Sequence, residues 1–297
     1  MFLNTEEKLL KTIPVEVRLD RVEINGHLIN YATAGSGEPL LLLHGGNIGW
    51  GQWYPNIPEL AKHYRVYAID LPGAGRSSRV DFAKMDLDQD LVVVAEKFIA
   101  LKSLRRPVVI GASAGGWIAA QLALRDPENI SKMVLVDAVG LSGHFSFTDR
   151  VLSFYRLMRF VSKTLLSPER ENRRVEAFLR GAFFNAAHPL RQEFIEYFYE
   201  TMRDSHNLLF VSRLAQHVVK GDLALMPELP KIKSEALIVW GEQDRLMPLE
   251  KCQPNFSLLP GVKVSVIKNA GHMPSLERPE EFNAAVIGFL KNGISFS

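Results

Sequence analysis

Gly111-Ala112-Ser113-Ala114-Gly115 spells Gly-x-Ser-x-Gly, a serine enclosed by small residues. By composition alone such a five-residue match arises about 0.1 times in a chain of this length, so its weight comes from context. The apolar run Pro107–Ala112 reads as a buried strand leading into it, and Gly116 with a helical pattern leads out. That is the local sequence of a strained strand-to-helix turn. Such a turn lifts a hydroxyl above the edge of a sheet and sets a helix N-terminus behind it, where developing negative charge is favoured. A Gly-rich turn with an idle serine would have the same composition, and the two readings part on whether a base is at hand.

Serine is a weak nucleophile at neutral pH and needs a base, normally a histidine held by a carboxylate. Of the eight histidines, His27, His63, His188, His206 and His217 fall inside apparent strands or helices or in a central segment, where packing or surface roles explain them. His144 lies near the start of that segment, within reach of a substrate. His272 differs: it sits in Asn269-Ala-Gly-His-Met-Pro, directly after the run Val262–Lys268. In a parallel sheet that loop shares the carboxyl edge with Ser113, so His272 is the expected base. Asp244 follows the run Ala236–Glu242 and gives the chain order Ser, Asp, His, while Asp137, ending the run Lys132–Ala138, is the alternative acid. The backbone N–H groups of Gly46, in His44-Gly-Gly-Asn47, and of Ala114 are the expected oxyanion donors.

Residues so scattered need a scaffold that gathers them. The runs Leu40–Leu43, Arg65–Asp70, Pro107–Ala112, Lys132–Ala138, Ala236–Glu242 and Val262–Lys268 stay apolar long enough to be buried strands. Met85–Leu101, Gly115–Leu124, Leu249–Leu259 and Glu280–Leu290 carry apolar residues near helical spacing. The alternation predicts an α/β fold with a mostly parallel sheet flanked by helices, and the stricter alternation of Val15–Leu19 and His27–Ala34 predicts an antiparallel start to it. The alternation lapses between about 140 and 230. We therefore expect a core domain of residues 1–139 and 231–297 and a helical cap, or lid, inserted at 140–230. Val151, Phe154, Tyr155 and Met158, and then Leu190, Phe194, Tyr197 and Phe198, give the insertion helices with one apolar face. Residues 140–225 hold 13 of the 28 Phe, Tyr and Trp, an excess that is either the insertion's own core or, in part, the wall of a ligand cavity.

Composition excludes several classes. The chain has 297 residues, 47% hydrophobic and 23% charged, which suits a soluble globular domain rather than a small disulfide scaffold. Its 35 Lys+Arg and 33 Asp+Glu are interspersed, so no basic patch for nucleic acid or an acidic membrane surface is expected. Cys252 is the single cysteine, and the opening MFLNTEEKLLK has acidic residues where a signal peptide carries an apolar run. The expectation is a cytoplasmic protein without membrane insertion, acting on a small molecule. No phosphate-binding loop, zinc motif or dinucleotide fingerprint occurs, so no cofactor and no metal are expected. Nothing in the pattern sets an oligomeric state.

Taken together, His44-Gly-Gly46, Asp70-Leu-Pro-Gly-Ala-Gly-Arg-Ser, the serine elbow, Asp244 and Gly271-His-Met-Pro leading to Glu277-Arg-Pro-Glu resemble the α/β-hydrolase superfamily over nearly the whole chain. The resemblance implies a cap over the active site at the inserted segment, a structural role for Asp70, and a capped serine hydrolase. Ser113 in place of an aspartate nucleophile sets the chain apart from the similar haloalkane dehalogenases and epoxide hydrolases. Carboxylesterases and the hydrolases that cleave carbon–carbon bonds in ring-fission products share the same triad, and Met273 departs from the tryptophan that often follows the histidine in the latter. The expected function is hydrolysis of a carboxylic ester of a small, largely apolar substrate through an acyl-enzyme. The alternatives are carbon–carbon hydrolysis of a vinylogous diketone and, in another class, a hydrolase-fold receptor with little turnover.

Overall fold

A computed structural model describes residues 2–81, 84–141, 190–202, 213–214, 216–217 and 220–291. Eight strands form one sheet: β1 (Arg18–Ile24), β2 (His27–Ala34), β3 (Pro39–Leu43), β4 (Arg65–Ile69), β5 (Val108–Ala112), β6 (Lys132–Val136), β7 (Glu235–Gly241) and β8 (Lys263–Ile267). Their order is β1-β2-β4-β3-β5-β6-β7-β8. β1 pairs antiparallel with β2 and β2 with β4, and every pairing from β4 to β8 is parallel.

The unbroken apolar runs follow from burial on both faces. Leu41, Leu43, Val109, Met133, Leu135, Ile238 and Trp240 point into one core. Their neighbours Leu40, Leu42, Ile110, Val134, Val136 and Val239 point into the other. β8 departs from this pattern. It lies at the sheet edge with a single partner, and Val264 and Val266 are exposed while Ile267 is buried, so the sequence reading of it as a fully buried strand is corrected. The first strand also starts later than the alternation of Val15–Leu19 suggested. It runs to Ile24 and turns through Asn25 and Gly26, both at positive φ, a two-residue hairpin of the Asn-Gly type.

Helices α1 (Phe2–Leu10), α2 (Val93–Leu101), α3 (Ala114–Arg125), α4 (Gln192–Met202) and α5 (Pro279–Lys291) accompany the sheet. The stretch expected as one helix from Met85 begins instead with a wide turn at Asp88–Val92. That expected over Leu249–Leu259 breaks after Cys252 into a tighter 3-10 segment, where Pro254 supplies no N–H. Most of the expected insertion, 142–189 and much of 203–219, lies outside the described residues, and with it Val151, Phe154, Tyr155, Met158 and His144.

Within the described part, α4 buries Phe194, Ile195, Tyr197 and Phe198 in the same core as Trp50, Trp53 and Tyr54. The Tyr54 and Phe194 rings stack 5.5 Å apart. These aromatics are therefore packed against the segment Trp50–Tyr54. The unanticipated helix α1 lies against α4: Lys8 Nζ meets Glu196 at 2.8 Å, and Leu9 is fully buried. On the same helix the buried Glu6 accepts from Trp50 Nε1 at 2.8 Å and from Arg76 Nη1 at 2.6 Å.

Candidate active site

Ser113 stands between β5 and α3 with φ 51° and ψ −113°, a conformation that L residues rarely adopt. Its surroundings over-determine the turn. A Cβ on Gly111 would lie 2.0 Å from the Gly115 carbonyl oxygen, and one on Gly115 would lie 2.2 Å from that of Leu43. Only glycine fits at either place, so the two outer positions of Gly-x-Ser-x-Gly follow from the close approach of α3 to β5 and to the end of β3. Ser113 N–H donates to Val136 O at 2.8 Å, and its carbonyl accepts from Val139 N at 3.1 Å, which ties the elbow to the end of β6.

The loop after β3 packs directly on the elbow. A Cβ on Gly45 would lie 2.9 Å from the Ser113 Cβ. Gly46 has φ 52° and open space where a Cβ would stand. Three side chains hold this loop. Gly45 N–H donates to Gln52 Oε1 at 2.8 Å, Asn47 Nδ2 donates to Gly73 O at 3.0 Å, and Leu71 N–H donates to His44 Nε2 at 3.0 Å. His44 Nδ1 faces Gly45 O at 3.3 Å, so the imidazole is neutral with its proton on Nδ1, and complete burial pulls its pKa down to about 4. Ala114 opens α3, where an N–H has no carbonyl one turn back within the helix. The loop and the helix thus meet at Ser113.

His272 and Asp244 are joined. Nδ1 lies 2.7 Å from Asp244 Oδ2, and both side chains are nearly inaccessible, at 4% and 0% exposure. Asp244 Oδ1 accepts from Leu246 N at 2.8 Å and Met247 N at 2.9 Å. With an acceptor-only carboxylate opposite, the imidazole carries its proton on Nδ1 and leaves Nε2 the unprotonated nitrogen. Asp137, the alternative acid, is also here and fully buried. Its Oδ1 accepts from Gly241 N at 2.9 Å, and a carboxylate oxygen each of Asp137 and Asp244 and a ring nitrogen of His272 lie within 4.8 Å of one another. The structure therefore pairs the imidazole with Asp244 and sets Asp137 beside that pair. Ser113 and His272 share the carboxyl edge, at the ends of β5 and β8.

Glu277 and Gln52 carry structure that sequence reasoning did not assign. Glu277 is buried, and its Oε1 accepts from Gly271 N at 2.8 Å and Met273 N at 3.3 Å, one residue on each side of His272. A glutamate four residues after Met273, following Pro274, was the available signal. Gln52 stands out as a polar residue between Trp50 and Trp53, all three buried. Asp70 gathers three donors, Trp50 N at 2.6 Å, Asn30 Nδ2 at 2.7 Å and Arg76 N at 2.9 Å, while burial pushes its pKa up to about 7. It ties β2 to the loops that hold Trp50 and Arg76, which is a structural role.

The chain is 28% identical over 286 residues, 92% of its own length and 95% of the other, to a 2-hydroxy-6-oxo-6-phenylhexa-2,4-dienoate hydrolase of Comamonas testosteroni. It is 27% identical over 257 residues, 86% of this chain and 81% of the other, to carboxylesterase YbfK of Bacillus subtilis (strain 168). Among solved structures it resembles a bacterial membrane phospholipase A with a TM-score of 0.79 and 27% identity, covering 98% of this chain and 90% of that one. Hydrolysis is the activity these names share. No helix among the described residues is long and apolar enough to cross a membrane. The alpha/beta hydrolase fold model matches residues 38–279, from the start of β3 past Glu277. By that match, and by the strained serine elbow at the carboxyl edge of its parallel sheet, the chain belongs to the alpha/beta hydrolase fold family.

Proposed function

We propose that the protein hydrolyses a carboxylic ester of a small, largely apolar substrate through an acyl-enzyme, with Ser113, His272 and Asp244 as the triad. Ser113 Oγ attacks the acyl carbonyl while its proton passes to His272 Nε2. Asp244 holds the imidazole and stabilises the imidazolium. Negative charge on the carbonyl oxygen meets the N–H groups of Gly46 and Ala114 at the head of α3. The ester C–O bond then breaks, His272 returns the proton to the departing alcohol, and water repeats the sequence to release the acid and restore Ser113. The observation that carries this reading is the Ser113 elbow, a residue at φ 51° over-determined by glycines on either side. Strain of this kind costs of order 1–3 kcal/mol and persists where surrounding packing enforces it. Similarity to a carboxylesterase supports the ester.

Similarity to ring-fission-product hydrolases over more than nine-tenths of the chain favours a second reading, carbon–carbon hydrolysis of a vinylogous diketone with the same triad. A series of p-nitrophenyl acyl esters from acetate to laurate, run beside Ser113→Ala, tests the proposal. Activity peaking at one chain length and falling at least 10³-fold in the variant is expected. Little turnover across the series, with faster consumption of a coloured dienol diketone, would replace ester by carbon–carbon cleavage. No turnover of either, with ligand-induced thermal stabilisation that survives Ser113→Ala, would leave a receptor.

A further inference from the structure

The carboxyl edge holds one more acid than a triad requires, and the surplus is inaccessible to water. Asp137 is 0% exposed, has φ 41°, and donates its own N–H to Val239 O at 3.1 Å. Its Oδ1 accepts from Gly241 N, while its Oδ2 has no donor. A buried acceptor without a donor demands an explanation, because it costs the full desolvation of that atom. The explanation lies next to it. Asp244 offers a carboxylate oxygen within 4.8 Å of one on Asp137, and two ionised carboxylates cannot donate to each other. The groups acting on Asp137 are Asp244, Glu277, the Gly241 N–H and burial itself, with His272 within 4.8 Å and the buried Cys252 thiol alongside. The acids and the burial disfavour a second negative charge, and the Gly241 amide alone opposes them.

We propose that Asp137 is a protonated carboxylic acid whose hydroxyl donates to Asp244, so that the pair carries a single negative charge and Asp137 positions the acid of the triad. The hydrogen-bond inventory decides which partner keeps the proton. Asp244 receives Leu246 N, Met247 N and His272 Nδ1, three donors that stabilise a carboxylate. Asp137 receives one. The proton therefore resides on Asp137, its Oδ2 becomes a donor, and the orphaned acceptor disappears. By donating to Asp244, Asp137 fixes that carboxylate toward Nδ1 and draws off part of its negative charge.

The inference rests on the triad reading, and its test separates the two. Asp137→Gly suits the positive φ and removes the donor. It should lower kcat/KM toward the best p-nitrophenyl ester about tenfold or more and move the acid limb of the pH–rate profile upward by at least half a unit. Asp137→Asn keeps one oxygen for Gly241 N and offers an amide N–H to Asp244. It should bring kcat/KM back to within about threefold of the parent and return the limb to the parent's pH. A downward shift of the limb by about one unit or more in Asp137→Asn would mean that a charge had been removed, and would overturn the proposal. So would an Asp137→Gly variant whose only change is a lower Tm, since that is what a purely structural anchor for Gly241 predicts. Infrared difference spectra at pH 7.5, parent minus Asp137→Asn, give a readout independent of turnover: the carbonyl stretch of a protonated carboxylic acid is expected, and a carboxylate band in its place overturns the assignment. Asp244→Asn retaining full activity would instead sink the triad reading, with the infrared result standing by itself.

Discussion

Replacing Glu277 with alanine removes the one acceptor shared by the amides on either side of His272, Gly271 N at 2.8 Å and Met273 N at 3.3 Å. The alanine leaves both N–H groups buried without that partner, at about 1–3 kcal/mol each, with the longer bond at the low end. The expected loss is therefore about 2–4 kcal/mol, or roughly 3–6 °C in Tm for a chain of this size. Activity should suffer separately. The clamp sets where the imidazole stands, and a displacement of about 1 Å costs on the order of 100-fold in rate. Thermal melts and steady-state kinetics with the best p-nitrophenyl ester should show kcat falling 10–100-fold with KM nearly unchanged. Glu277→Gln, which keeps an oxygen in place, should stay within about fivefold of the parent. An alanine variant that melts and turns over like the parent would refute the clamp, and a glutamine variant as damaged as alanine would show that charge matters rather than geometry.

Two further expectations concern stability. Buried His44 takes up a proton near pH 4 when folded and near 6.5 in the reference state, so between those values the unfolded chain binds a proton that the folded chain refuses. Stability from this residue is complete above about 6.5 and declines as pH falls through the window, by about 3 kcal/mol in all. His44→Gln should therefore narrow its stability deficit relative to the parent between pH 7 and 4.5 in urea titrations, and a constant deficit would contradict the neutral assignment. Glu6→Ala deprives the buried Trp50 indole N–H and the Arg76 guanidinium of their acceptor, costing about 2–4 kcal/mol. Urea midpoints should fall accordingly, with earlier proteolysis within α1 than in the parent; unchanged midpoints would mean that the contact contributes nothing.

The strands from β3 to β7 are legible in the sequence because burial on both faces leaves them uniformly apolar, a pattern that needs no knowledge of partners. The elbow is legible for a related reason: two backbone collisions exclude every side chain at Gly111 and Gly115, so the constraint is written into residue type. The acid was less so. Asp137 and Asp244 both follow strands, and the distance from Nδ1 to Asp244 Oδ2 distinguishes them in a way that spacing does not. Glu277 and Gln52 escaped because each serves backbone amides brought to it by folding, which leaves no periodicity. Helix α1 escaped because its hold on the fold is Glu6 buried against Trp50 and Arg76, and a charged residue at the start of a chain reads as solvated. β8 was read as interior on hydropathy, although its position at the end of the strand order leaves Val264 and Val266 facing water.

Ser113, Asp137 and Asn269 have positive φ, and each stands at or just past the carboxyl end of a strand that feeds the site. The edge proposed for the chemistry is thus also where the backbone is held away from its preferred angles. Selection for thermal tolerance alone would act against it: glycine at 113 relaxes the turn, and an inert descendant of this chain can be sturdier than its active parent. A screen for robust variants therefore has to select for turnover in the same round, or it will tend to erode the elbow first.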